Sequence, residues 1–588
     1  MASEAEEVMA LACLILFKEV KLLPMETIEL RLSHSLYNAG ILGLIKILDF
    51  AGKEETYQHV RGDNKIIIKK EALDDFEKDY YKFFEAKYGH QMVIQKIIND
   101  YENLDFDNPD GEKNVKEWAE YITKKLKSAS YKSAYKIIED FRDDKFSVLD
   151  ALKDFIRESD SEGKKEKASQ IMVYLKKHKD VFMYKNIIYN IINNYWSGIS
   201  FFGTANVKKE MDGELKKAFV DTAAIALENH YEEGAYECDE CYNRFRKKTI
   251  DGIKVIDGIS TWLKDYGADY KKKSSHYWNF KLNQEICGMC KLVYSCIPAG
   301  FFNFYRKGFF VNVSSSIEDL IAFNQPNTNT FEAKNFEDYE DMSYGQIVSK
   351  VIEGTDEMRI ESALNNIQIV KRVGSSNDDM KYHIENLGKR ELHIISRSFN
   401  LIKSLRTMYI YDTEAKSYIY PYSNVMENLA NGKNLYPEIL KIVRLSTRKG
   451  ARARNVIDGV CNMIKIQVVQ SSYIRNNGGD NEMLEKNLKK IDVMYNKGLE
   501  ARMFLNGKED EINNKLRGLI YQLTNALQAS NISMFMDRLI RLYSSYNKPV
   551  PRLILDMIKD ENDFLNYGYA YVMGLRGKEN FSRNGEEE

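Results

Sequence analysis

Two pairs of cysteines are the residues of this chain whose types and spacing could do chemistry. Cys238 and Cys241 form one C-x-x-C motif, Cys287 and Cys290 form a second, and together they account for four of the seven cysteines. A C-x-x-C turn directs two thiolates at one point, and two such turns can complete a tetrahedron of sulfur ligands. The spacing therefore predicts a structural zinc ion bound by all four thiolates.

Other interpretations of these cysteines stay open. The motifs could be two unrelated turns with buried free thiols, or a redox dithiol, although a single C-x-x-C would suffice for that chemistry. Four thiolates leave no open position for water, so the metal is expected to stabilise the fold rather than to catalyse. Cys296 is expected to be a small buried apolar residue. His230, eight residues before Cys238, could replace a thiolate but is not needed.

The composition describes a globular, cytoplasmic protein with several domains. The chain has 588 residues, of which 29% are charged and 44% hydrophobic, and its net charge is −2. Any basic surface must therefore be local. The apolar run from Met9 to Phe17 is too short to span a membrane, and it follows acidic residues, unlike a signal peptide. Residues 1–24 are predicted to be an N-terminal extension, and no membrane association is expected.

The elements that must position the cysteines belong to a mostly helical α+β fold. Residues 25–202 are predicted to form a mixed N-terminal region, in which a short strand and an apolar helix run from Ile28 to Phe50. Gly40 and Gly43 in that helix indicate either close packing or a phosphate site at the helix N-terminus. Apolar periodicity predicts further helices at 113–127, 130–142 and 146–158.

The cysteine motifs lie in a zinc-ribbon region, 203–313, inserted after the mixed region. Its end, 297–313, is rich in aromatic and β-branched residues and predicts a strand–turn–strand. A small α+β unit with loops is expected over 314–435, and a C-terminal helical bundle over 436–577. The predicted helices of this bundle, which a polar tail over 578–588 follows, are 482–505, 508–529, 531–546 and 550–559.

Basic residues are densest just before the bundle helices. Arg444, Arg448 and Arg452 follow i, i+4, i+8 spacing, which would place them on one helical face suited to a phosphate backbone. A solvated helix face is the alternative. The full set of candidate nucleic-acid-binding residues is Arg444, Arg448, Lys449, Arg452, Arg454, Arg306, Lys307, Lys271, Lys272 and Lys273.

No arrangement of residues points to an enzyme. The eight histidines form no H-E-x-x-H motif, and the sequence contains no P-loop, no G-x-S-x-G motif and no kinase motif set. The chain is therefore predicted to have no catalytic residues.

Several segments in order resemble a known family. They are Y-N-A-G-I-L-G-L-I-K-I-L near the N-terminus, the paired C-x-x-C motifs, F-F-N-F-Y-R-K-G-F-F-V-N after them, and F-L-N-Y-G-Y-A-Y-V-M-G-L near the C-terminus. The chain from about Thr27 to Gly577 resembles the large subunit of the type I-B CRISPR Cascade, the Cas-eight-b family.

The resemblance implies a role in antiviral defence within an RNA-guided, multi-subunit complex. It implies recognition of the protospacer-adjacent motif in double-stranded target DNA, help in unwinding that DNA, and recruitment of a helicase-nuclease. The implied partners are the CRISPR RNA, the backbone and foot subunits of Cascade, and small-subunit-like copies of the C-terminal region. A metal-dependent nuclease with a zinc ribbon, or a zinc scaffold that binds only proteins, are the alternatives.

Overall fold

The computed structural model describes residues 27–106, 112–196, 209–258, 285–304, 307–325, 367–374, 381–412, 414, 416–448, 452–476, 481–505, 509–556 and 561–577. The predicted extension 1–24, Lys271–Lys273, Arg306, Lys449 and the tail 578–588 lie outside these residues. The described residues form two compact units. The first holds the described residues up to Gln325 together with Gln368–Ile384, and the second holds Ile367 and the described residues from Glu385 onward. Strands β12 and β13, which begin or end at these boundaries, are given with the first unit because most of their residues belong to it. The predicted boundaries of smaller domains stay predictions.

The first unit is mixed, as the sequence predicts. Its strands are β1 Thr27–Arg31, β2 Tyr57–His59, β3 Lys65–Lys69, β4 Tyr236–Glu237, β5 Arg244–Phe245, β6 Thr249–Ile250, β7 Ile253–Lys254, β8 Ile256–Gly258, β9 Glu285–Cys287, β10 Phe302–Phe304, β11 Lys307–Asn312, β12 Ile367–Val373 and β13 Lys381–Leu387. Its helices are α1 Ser35–Phe50, α2 Phe76–Tyr88, α3 Val93–Glu102, α4 Glu112–Leu126, α5 Ala129–Arg142, α6 Val148–Arg157, α7 Ser161–Lys177, α8 Lys179–Asn190, α9 Met211–Leu215, α10 Asp221–Asn229, α11 Gly288–Ser295, α12 Ile297–Gly300 and α13 Ile317–Asn324.

Small antiparallel sheets frame the buried helix α1. One sheet has the order β1-β3-β2, and Ile66 and Ile68 of β3 alternate with less buried residues, as expected for a strand with one face on a core. A second sheet has the order β10-β11-β12-β13, and its β10–β11 pair is the predicted strand–turn–strand. Thirteen of the sixteen residues of α1 are buried, so this helix lies at the centre of the core.

The predicted helices of the first unit are confirmed, and local capping explains where some of them begin. Helix α6 begins after Ser147, whose side chain accepts a hydrogen bond from the amide of Asp150. Helix α7 begins after Asp160, which accepts from the amide of Gly163. Such caps satisfy amides that the first helical turn leaves without a partner.

The second unit is almost entirely helical. Its helices are α14 Lys389–Ser404, α15 Pro421–Ala430, α16 Tyr436–Ser446, α17 Val456–Asn476, α18 Asn481–Arg502, α19 Glu509–Gln528, α20 Ile532–Ser545, α21 Arg552–Asp556 and α22 Glu561–Arg576. The four helices predicted from residue 482 onward correspond to α18–α21. One three-stranded antiparallel sheet, of order β15-β14-β16, contains β14 Tyr409–Asp412, β15 Ser417–Ile419 and β16 Ala453–Arg454.

Helix length and composition give no sign of a membrane segment among the described residues, where no helix combines the length and apolarity needed to cross a bilayer.

Candidate metal centre

The first C-x-x-C motif forms a tight turn between β4 and β5. The amide of Cys238 donates to the carbonyl of Asn243 at 2.9 Å, and the amide of Tyr242 donates back to the carbonyl of Cys238 at 2.9 Å. Tyr242 has a φ of 59°, a left-handed conformation that L residues adopt at some cost. The turn brings the thiols of Cys238 and Cys241 to the same side of the chain.

The second motif lies where a strand becomes a helix. Cys287 ends β9 and caps α11, and its sulfur accepts a hydrogen bond of 3.4 Å from the amide of Cys290. Strand β9 pairs with β8, with Cys287 opposite Ile256. The sheet thus fixes one ligand of the pair and the first turn of α11 fixes the other.

Hydrogen bonds hold the two motifs against each other. The amide of Cys287 donates to the sulfur of Cys238 at 3.2 Å. Asp239 is bonded twice to Glu285, once from its amide to the Glu285 carbonyl at 2.9 Å and once from the Glu285 amide to its carboxylate at 2.8 Å. These hydrogen bonds join the two motifs directly, and the two cysteine pairs face each other.

The four sulfurs have the spacing of a tetrahedral metal site. All four lie within 4.8 Å of one another, with 3.7 Å between the sulfurs of Cys238 and Cys290 and 3.8 Å between those of Cys241 and Cys287. Metal–thiolate bonds of about 2.3 Å at tetrahedral angles give sulfur separations of about 3.8 Å. Each cysteine is at most 4% exposed. The predicted donor set therefore fits a structural metal, and the view of two unrelated turns is wrong.

Two residues considered beside the motifs lie outside the four-sulfur cluster. Cys296 is fully buried, and its sulfur lies 3.9 Å from the hydroxyl of Ser295. His230 forms a bridge with Phe245, and burial lowers the pKa of its imidazole. Among the described residues, only the four motif cysteines form a group able to hold a metal.

The electrostatics of the cluster favour a cation. Burial raises the pKa of the Cys287 and Cys290 thiols, because a thiolate is poorly solvated inside the unit. Burial acts the same way on Cys241, but hydrogen bonds from the other thiols and from Asn243 outweigh it and hold its pKa well below the usual value. A bound metal would supply the positive charge that allows all four groups to be thiolates.

Helix α1 presses directly on the two helices that follow the second motif. A Cβ added at Gly43 would lie 2.0 Å from the carbonyl oxygen of Cys296, and one at Gly300 would lie 1.9 Å from that of Ala39. At Gly40 the added carbon would lie 2.4 Å from the carbonyl oxygen of Val293. Close packing therefore explains the glycines of α1. It also places the helices that follow the second cysteine pair directly against the centre of the core.

A buried polar network adjoins the cluster. Glu240, inside the first motif, is 6% exposed and accepts hydrogen bonds from Ser33 at 2.6 Å and from Tyr294 at 2.7 Å. The imidazole Nε2 of His34 lies 2.9 Å from the Tyr294 hydroxyl. The Tyr37 hydroxyl lies 3.1 Å from the sulfur of Cys290. Burial, reinforced by nearby thiols and Glu240, raises the pKa of Tyr37, so this hydroxyl keeps its proton beside the sulfur.

Sequence reasoning missed these supporting residues. Only Glu240 carried a signal, since it lies between two predicted ligands. Tyr37 and Tyr294 could not have been chosen, because tyrosine is abundant in this chain and both lie in apolar helices.

The predicted arginine face does not exist as a helical face. Helix α16 ends at Ser446, and Arg454 lies in strand β16, so Arg444, Arg448 and Arg452 do not share one helix. Arg444 is held by the side chains of Asn525, at 2.9 Å, and Gln528. The guanidinium of Arg448 lies 2.9 Å from Glu414 and 3.7 Å from Asp412.

Of the remaining basic candidates, the structure describes Arg452, Arg454 and Lys307. Arg452 and Arg454 are exposed on either side of buried Ala453. Lys307 begins β11, where it pairs with Phe304. The nucleic-acid role of all these residues stays a prediction.

Comparison with known proteins finds one similarity, in the region of the cysteine motifs. Residues 231–302 match the family model described as "CRISPR-associated protein (Cas_CXXC_CXXC)". The match spans both cysteine motifs, helices α11 and α12 and the first residue of β10. The four clustered cysteines are thus compatible with a structural metal, and the segment that carries them is similar to a CRISPR-associated family. No curated protein and no solved structure matches the chain.

Proposed function

We propose that this chain is the non-catalytic large subunit of an RNA-guided CRISPR surveillance complex of type I-B. The observation that carries the proposal is the match of the four-cysteine region to a CRISPR-associated family, at the segment that packs against the central helix α1 of the first unit. The order of the other motifs along the chain, which resembles the Cas-eight-b family, supplies the finer assignment.

In this role the cysteine centre is structural. Zinc is the metal that four buried thiolates favour, and a closed S4 site leaves no position for a reacting water. The metal holds α11 and β9 in place and thereby supports the packing of α1. The chain recognises the protospacer-adjacent motif, helps to open target DNA and presents it to a helicase-nuclease, while guide pairing supplies sequence specificity.

The two-unit organisation supports a division of labour. The first unit carries the metal centre, and the second, largely helical unit is the region that resembles the small-subunit-like part of the family. Neither unit, within its described residues, adds a second cluster of histidine, cysteine and carboxylate ligands that an additional metal could occupy.

A tagged pull-down from the native host tests the proposal. We expect the chain to elute with several partner subunits and with short RNAs of uniform length that carry repeat-derived ends. The matched control is the same tagged chain in a host strain that lacks the repeat array, in which these RNAs should be absent.

Two results would contradict the proposal. Recovery of the chain with partner proteins but without RNA would favour a protein-binding zinc scaffold. Magnesium-dependent cleavage of DNA by the purified chain would favour a nuclease.

A further inference from the structure

Four tyrosines share one face of the small sheet in the second unit. In the β14–β15 hairpin, Tyr411 is directly opposite Tyr418, and Ile410 is opposite Ile419. Tyr409 and Tyr420 flank these pairs. Because side chains alternate between the faces of a strand, Tyr409, Tyr411, Tyr418 and Tyr420 point the same way. We name this set the tyrosine face.

The tyrosine face points away from the core of its unit. Ile410 of β14 is fully buried and Ala453 of β16 is 7% exposed, and α16 packs against β14. On the opposite side, Tyr418 is 47% exposed and Tyr420 is 57% exposed. The sheet thus uses its small and aliphatic residues for packing and presents its tyrosines outward.

The four rings form one continuous cluster, but they do not stack face to face on one another. Ring centroids lie 5.0 Å apart for Tyr411 and Tyr418, 5.4 Å for Tyr409 and Tyr418, and 6.2 Å for Tyr409 and Tyr420. The corresponding ring planes are inclined by 59°, 86° and 55°, so none of these pairs is stacked face to face. Planar ligands can therefore stack on them.

Two arginines extend the tyrosine face on the third strand. Arg454 is the cross-strand partner of Tyr409, and the carbonyl of Arg452 accepts a hydrogen bond of 2.8 Å from the amide of Tyr411. Both arginines are exposed, and within the described part of the chain neither forms an ion pair. Arg448, by contrast, is neutralised by Asp412 and Glu414. Arg452 and Arg454 are thus two positive charges beside four aromatic rings.

We propose that the tyrosine face, with Arg452 and Arg454, binds single-stranded nucleic acid. Unpaired bases stack on aromatic side chains, and adjacent arginines neutralise the phosphates that link them. A duplex cannot bind in this way, because its bases are already stacked inside the helix. This proposal adds a binding site to the proposed function. The identification of the bound strand, as opened target DNA or as guide RNA, rests on that function. The stacking chemistry itself does not depend on it.

The test is a binding titration with the purified full chain and three labelled probes: a mixed-sequence DNA single strand, an RNA single strand of the same sequence, and the corresponding DNA duplex. The test variant is Tyr418→Ala with Tyr420→Ala, since these two rings are the most exposed of the four. The control is Tyr521→Ala, which removes an equally exposed tyrosine, 59% exposed, from helix α19 of the same unit. Replacing Tyr418 and Tyr420 with phenylalanine keeps the rings and serves as the rescue.

We expect the double alanine variant to bind single strands at least about fivefold more weakly for each ring that stacks a base, with little change on the duplex. The phenylalanine variant and Tyr521→Ala should bind as the wild type does. Arg452→Gln with Arg454→Gln should reduce the salt dependence of single-strand binding by a slope of about 1.4, since each phosphate contact contributes about 0.7. The single-strand probe that loses more affinity, DNA or RNA, identifies the natural ligand.

The proposal is overturned if the alanine variant, folded by circular dichroism, binds both single strands like the wild type, or if Tyr521→Ala weakens binding equally. These results leave the surveillance-complex assignment untouched, because the pull-down tests it separately. Conversely, the chain could bind single strands through these tyrosines and yet recover no guide RNA from its host. That result would support the binding site and contradict the surveillance-complex assignment.

Discussion

One methyl group added at Gly43 should loosen the packing that holds the second cysteine pair. The new Cβ would lie 2.0 Å from the carbonyl oxygen of Cys296. Carbon–oxygen contacts in proteins are normally no shorter than about 3.3 Å. Helix α1 and the chain at Cys296 must therefore separate by more than about 1 Å, and both sides of the contact are backbone that cannot rotate away.

The cost follows from comparison with a glycine that has room. At Gly213, in helix α9 of the same unit, an added Cβ meets no atom within 4 Å. Alanine gains up to about 1 kcal/mol over glycine in a helix, and both variants share this gain. The difference between Gly43→Ala and Gly213→Ala therefore isolates the overpacking penalty, which is about 1–3 kcal/mol or more.

Urea denaturation followed by tryptophan fluorescence measures this difference. All four tryptophans precede residue 280, and the two described ones, Trp118 and Trp196, are buried in the first unit. The fluorescence therefore reports on the unit that contains Gly43. A free energy of unfolding for Gly43→Ala equal to or above that of Gly213→Ala would refute the packing argument.

Three further predictions concern the same unit. Cys287→Ser should lose the metal and lower the melting temperature of the first unit. The control Cys461→Ser, which changes a cysteine of the second unit, should retain the metal. Metal analysis and thermal melting of both variants test this prediction. Glu240→Ala should lower the free energy of unfolding by about 1–3 kcal/mol, because Tyr294 loses a buried acceptor, and Glu240→Gln should cost less; an unchanged alanine variant would contradict the network. Burial lowers the pKa of Lys185 to about 8, so between pH 8 and about 10.4 the unfolded chain binds more protons and stability rises with pH. Lys185→Met should therefore stabilise the protein by at most about 3 kcal/mol at pH 7, and this stabilisation should disappear by pH 10. A stabilisation that does not change with pH in denaturant titrations would contradict the lowered pKa of Lys185.

The metal centre could be predicted because its signal is local. Two C-x-x-C turns each place two sulfurs together through four consecutive residues, and only the meeting of the turns depends on the fold. The helices at 113–158 and from 482 onward were predictable for the same reason, since their apolar periodicity lies within single segments. The supporting residues Tyr37 and Tyr294 were not, because their contacts to the centre join residues more than fifty positions apart.

The arginine face shows where periodicity fails. The i, i+4, i+8 spacing of Arg444, Arg448 and Arg452 has meaning only if the helix continues, and helix α16 ends at Ser446. Pairing of Ala453 and Arg454 with β14 prevails over helical spacing, because a strand some forty residues earlier in the chain supplies hydrogen-bond partners. The tyrosine face was invisible for the same reason, since it joins β14, β15 and β16.

The most direct test of the central claim, that four thiolates form a structural metal centre, is X-ray absorption spectroscopy at the zinc edge on the full chain purified without added metal. We expect one zinc ion per chain with four sulfur neighbours at about 2.3 Å. A folded chain with no stoichiometric metal, or a metal with nitrogen or oxygen neighbours, would contradict the account.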